Sequence, residues 1–153
     1  DGLTFSYQWQ ADGVDIPGAT DKKYKVTPAD EGKVITVVVT ATKGDLPPGS
    51  ATSEGVTIKY ASTTSVKLSR TVLFSWQQTT VTVTVDSADD VAPTGNVTIS
   101  VNGKSTTVPL VNGVATYQVP KVRGGVYLVK ATYEGDELNN GSSSQVRLFW
   151  VIF

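Results

Sequence analysis

Apolar residues recur at every second position along much of this chain, the spacing that gathers one set of side chains on one face of a β-strand. Ile35, Val37, Val39 and Ala41 fall on one side of such a strand, with Thr36, Val38 and Thr40 on the other. The first set is assigned to the core. The same rhythm marks Val81-Val83-Val85, Val97-Ile99-Val101 and Tyr127-Val129-Ala131-Tyr133, whose intervening positions are mostly Thr, Ser and Lys. One dry and one wet face per strand points to packed antiparallel sheets and not to a parallel α/β sheet. No stretch sustains a 3.6-residue apolar period, so no helix longer than a turn or two is expected.

Turn residues divide this pattern into strands. In the first part of the chain, strands are predicted over 3–10, 23–27, 33–43 and 51–60, with Asp12-Gly13 as a hairpin turn. Pro47-Pro48-Gly49 keeps 44–50 in a turn, because proline cannot donate to a central ladder. The Ser/Thr segment 61–65 reads as a joint. Further strands are predicted over 65–77, in one or two pieces, and over 80–85, 95–101, 104–110, 114–119, 125–133 and 144–151. Asn102-Gly103 and Asn112-Gly113 are strong hairpin signals, since a type I′ turn needs positive φ at both central residues. The expected organisation is one unit over 1–60, the joint 61–65, and a second unit over 66–153.

Composition narrows the chemistry. The 153 residues include no cysteine, histidine or methionine, which removes disulfides, thiolate nucleophiles, imidazole bases and all soft or nitrogen side-chain metal ligands. Catalysis would have to rest on a carboxylate pair or a Ser/Lys arrangement. The 14 carboxylates lie in turns, at strand ends or on outward faces, where they stay hydrated and ionised. No enzyme is expected. Thirteen basic residues against 14 acidic ones, without a basic block, argue against nucleic acid as a partner. The longest terminal apolar run, Leu148 to Phe153, is far shorter than a membrane-spanning helix requires. Freedom from sulfur suits an oxidising, extracellular setting.

Two resemblances add to this reading. Tyr7-Gln8-Trp9, Asp12-Gly13, Ile16, Gly18-Ala19-Thr20, Tyr24, Thr27, Asp30, Gly32, Ile35, Val37 and Val39-Thr40 resemble the Ig-like repeats of secreted actinobacterial and related surface proteins. Pro93-Thr94-Gly95, Val97, the run from Val108 to Thr116, Gly125, Ala131, Tyr133 and Gly135-Asp136 resemble another bacterial Ig-like (Big) repeat class. The resemblances imply an all-β chain of two tandem immunoglobulin-like β-sandwiches. They also imply that the first lacks its two opening strands, leaving its Trp9 partly wet unless another segment or chain fills the gap.

Several residues are candidates for binding. Asp86, Asp89 and Asp90 lie in one loop, Asp136 and Glu137 in another, and an Ig sandwich brings such loops to the same end. Five carboxylates there would suit calcium, the one cofactor considered; the competing reading is a solvated acidic tip in which Asp136 caps its own turn. Phe74 and Trp76 lie in a segment apolar on both sides, fitting either a buried strand or an aromatic face for a sugar ring or a neighbouring domain. Trp9 reads as core. Lys130 points to the wet face, which speaks against an intramolecular Lys–Asn cross-link. The expected role is a non-catalytic spacer or presentation module of a larger bacterial secreted or cell-surface protein, with neighbouring domains of the same parent chain as partners. The alternative is an adhesion module that binds a surface protein or glycan through the acidic tip or the aromatics.

Overall fold

The structure, a computed structural model, describes residues 2–153. The chain divides into two units between Lys59 and Tyr60. In the first, β1 (Leu3–Ala11) turns through Asp12-Gly13 into the two-residue β2 (Val14–Asp15), and both turn residues have positive φ. A 3-10 turn (Pro28–Asp30) leads to β3 (Val34–Lys43), followed by β4 (Gly49–Thr52) and β5 (Val56–Thr57). These strands make one sheet ordered β2-β1-β3-β4, with β5 also on β3. Register sets Trp9 opposite Val37 and Tyr7 opposite Val39, so the alternating apolar positions do share a face.

No second sheet covers that face among the described residues. Ile35 is the single buried apolar side chain described in this unit, and Trp9 is half-buried. What shields Trp9 is the loop after β2. The Trp9 indole stacks on Tyr24 at 5.7 Å between ring centroids and donates its N–H to the Asp21 carbonyl at 2.9 Å. Tyr24 in turn donates its hydroxyl to Asp30 at 2.8 Å. The buried Asp30 also accepts the Thr27 amide at 2.8 Å. That amide bond, joined by the Tyr24 and Thr27 hydroxyls and the Lys33 charge, holds the Asp30 carboxyl below the usual range although desolvation pushes it upward.

Three expectations for this unit need correction. Of the positions assigned to the core, Trp9, Val37, Val39 and Ala41 are only half-buried, because no second sheet among the described residues covers them. Residues 23–27 are extended but are not a strand, because no neighbouring strand offers them a ladder. The run 51–60 is broken into β4 and β5, with Ser53 lying between them and its hydroxyl accepting the Val37 amide.

The second unit begins with β6 (Ser62–Leu68) and β7 (Val72–Phe74), then β8 (Thr80–Ser87), β9 (Asn96–Val101), β10 (Lys104–Pro109), β11 (Val114–Gln118), β12 (Gly125–Gly135), β13 (Asn140–Ser143) and β14 (Arg147–Ile152). The segment 61–65 is therefore mostly strand and not a joint: the Thr64 hydroxyl is 2.7 Å from that of Ser142, tying β6 to β13. One sheet runs β10-β9-β12-β14-β7, with β13 beside β12; the other runs β11-β8-β6. Asn102-Gly103 and Asn112-Gly113 are both at positive φ, but only the first joins paired strands, β9 and β10. The expected hairpin at Asn112-Gly113 fails: that turn closes a single Val111–Val114 bridge and carries the chain from β10 in one sheet to β11 in the other.

Between these sheets lies the core. Val66, Val81, Val83, Val85 and Ala115 of the three-stranded sheet meet Leu73, Val97, Ile99, Val129, Ala131, Tyr133, Phe149 and Val151 of the larger one. Phe149 stacks on Tyr127 at 5.0 Å with planes 10° apart. Every described buried side-chain nitrogen or oxygen has a hydrogen-bond partner. Period-two burial thus governs the packing of this unit.

Candidate functional site

The two acidic loops of the second unit do come to one end, but hydrogen bonds and not converging carboxylates join them. Ser87 donates its hydroxyl to the buried Asn139 side chain. Asp136 Oδ2 accepts the Thr94 amide at 2.9 Å, and Asp136 Oδ1 accepts the amides of Leu138 at 2.9 Å and Asn139 at 2.7 Å. The Asn139 side-chain amide adds bonds of 3.0 and 3.1 Å to the same carboxylate. Desolvation pushes the Asp136 carboxyl upward, yet the amides of Thr94, Leu138 and Asn139 outweigh it and hold it well below the usual carboxylate range.

The remaining acids do not complete a cage. Asp86 points out from β8 and Glu137 is exposed, while Asp89 accepts the Asp90 amide at 2.8 Å. Among the described residues no group of three acidic side chains has a metal-holding arrangement. Calcium at several millimolar is therefore expected to leave the melting temperature unchanged in a thermal scan. A ligand bound at such concentrations would raise it through RT ln(1 + [L]/Kd).

The aromatic candidates fare differently. Phe74 and Trp76 stack on each other at 4.7 Å with planes 1° apart, and Trp76 is 63% exposed. Leu73 between the two strand neighbours is buried, so the segment is a thin edge strand with one buried and one open side. Parallel pairing sets Val72 beside Trp150 and Phe74 beside Ile152. On the other side of β14, Val126 pairs with Trp150 and Leu128 with Leu148.

Register thereby joins Val72 and Phe74, Leu148, Trp150 and Ile152, and Val126 and Leu128 into one apolar outer face three strands wide, with all seven exposed. Trp150 is 45% and Val126 50% exposed. The expectation of a wet outer face fails on these strands. Its signal was present in the sequence, since Val126 to Val129 and Leu148 to Ile152 are apolar at both parities. Farther along β12 the same face becomes polar at Lys130, opposite Ser100. On the flank of Leu128, Asn102 closes the ladder: its side-chain oxygen accepts the Leu128 amide at 2.7 Å.

Among the described residues, no helix is long and apolar enough to cross a membrane. Among curated proteins, nothing matches the chain. Solved structures similar to it include the fibronectin(III)-like modules of Clostridium thermocellum CbhA, at 14% identity and a TM-score of 0.45, covering 96% of this chain and 76% of that one. The D0-D1 domain of intimin is similar at 16% identity and a TM-score of 0.41, covering 97% and 82%. Murine CEACAM1b is similar at 14% identity and a TM-score of 0.40, covering 99% and 94%. The profile of the family described as Bacterial Ig-like domain (group 3) matches residues 61–150. That span holds all the strands of the second unit's sandwich except the tip of β14, and by it the chain belongs to this bacterial Ig-like family.

Proposed function

We propose that the chain is a non-catalytic spacer and presentation segment of a larger bacterial protein that is secreted or held at the cell surface. The observation that carries this reading is where the second unit takes in and releases its backbone. Tyr60 bridges Asn139 at the Asp136 end of β12, whereas Val151 pairs with Gly125 at the opposite end. The chain thus enters at one pole and runs out at the other, separated by the 11 residues of β12, roughly 35 Å at the rise of an extended strand. Such a path converts a folded unit into a fixed increment of length. The sulfur-free composition and the family's bacterial Ig-like character support the extracellular setting.

Because the chain contains no cysteine, spin labels can be placed at will. Labels on Ala61→Cys and Phe153→Cys, in the full chain diluted into unlabelled protein, are expected to give one narrow distance distribution at about 35–40 Å. A broad distribution, or a short one, would refute the spacer reading.

A further inference from the structure

We infer that the outer face of β7, β14 and β12 is a self-association surface on which a second copy of this chain packs, face to face, about a two-fold axis. The face presents Val72, Phe74, Leu148, Trp150, Val126 and Leu128 with Ile152 and Trp76 at its margin, all of them exposed. No charged or polar side chain interrupts the outward positions between Val126 and Leu128 on β12 or between Leu148 and Ile152 on β14.

Three arguments select a second copy as the occupant. The first is area. At the fractional exposures of these side chains, with a whole aromatic side chain offering about 150–250 Å², the patch shows on the order of 700–800 Å². That exceeds the few hundred Å² a monomer ordinarily leaves in one apolar patch, and approaches the ~800 Å² each partner contributes to a stable interface.

The second is chemistry. A saccharide could stack on Trp76 or Trp150, but over the middle of the face its hydroxyls would meet Val and Leu side chains, with Thr71 and Arg147 only at the edge beside Leu148, and each unpaired hydroxyl lost from water is unfavourable. The third is symmetry. An apolar sheet face without charge at its centre needs no complementary charge opposite it, so the same patch from another copy satisfies it in an isologous contact. Two such sheets would pack about 10 Å apart with strands near −30°, the ordinary geometry of stacked sheets. Trp150, central on β14 between Val72 and Val126, would be the anchor.

This inference is independent of the spacer reading, since a monomeric chain could still span a fixed distance. Sedimentation velocity of the full chain from about 1 to 200 µM should show a monomer–dimer equilibrium. Trp150→Lys and Leu148→Lys should each weaken it at least ~30-fold, while far-UV circular dichroism shows both variants folded. A chain monomeric at 200 µM overturns the proposal. So does a dimer indifferent to both lysine variants, which would place the contact elsewhere, on the open sheet of the first unit for example.

Discussion

Phe149→Ala is expected to destabilise the second unit by about 3–5 kcal/mol, the range for emptying a large aromatic site in a core that cannot fully collapse. Phe149 is entirely buried, stacks on Tyr127, and sits between the sheets on a strand whose next inward residue, Val151, is also buried. For a unit of this size, total stability is about 5–14 kcal/mol, so the loss is a large share of it. The control is the residue beside it. Trp150→Ala removes a still larger ring from the same strand, but one pointing outward, and should cost under about 1 kcal/mol in monomer. Urea titration below 1 µM, with unchanged slope and a midpoint displaced in Phe149→Ala alone, is the expected outcome. Equal displacement in both would mean that the strand's alternation does not separate inside from outside.

Asp136→Ala should cost about 2–4 kcal/mol, because it strips a carboxylate from several N–H donors and leaves the buried Asn139 short of partners. The sign of its pH dependence follows from its lowered folded pKa. The unfolded chain takes up the proton at about pH 3.9, while the folded chain resists it to lower pH. The stabilisation is therefore complete above about pH 5 and disappears as pH falls through 3.9 toward the folded value. The difference in urea midpoint between the parent protein and Asp136→Ala should be widest at pH 7 and shrink steadily by pH 3. Asp30 is also held low, but it is present in both proteins and drops out of the difference. A difference independent of pH would remove the carboxylate charge from the account.

Much of this fold could be read from residue order alone, for a physical reason. The strands β1 and β3 and the Asn102-Gly103 hairpin follow from local facts, namely alternation and the positive φ of type I′ turns. What could not be read depends on distant neighbours. Residues 23–27 have a strand-like composition, yet a strand exists only beside a partner, and none reaches them. The role of Asp136 hinges on Thr94, 42 residues earlier, so its acidic surroundings suggested an ion where the fold supplies amides. For Phe74 and Trp76 the sequence left burial and exposure both open. Parity shows which residues share a face; it does not show which face is covered when both are apolar.

The parallel pairing of β7 with β14 has a mechanical consequence. β7 lies near the beginning of the second unit and β14 near its end, and they are joined through ladder bonds such as Trp150 N–H to the Thr71 carbonyl and Ser75 N–H to the Ile152 carbonyl. Tension applied at the two poles would pull β7, through β6, and β14 along their own lengths in opposite directions. The bonds holding them then resist shear together instead of opening one after another like a zipper. A unit threaded in this way is suited to bearing load along its axis.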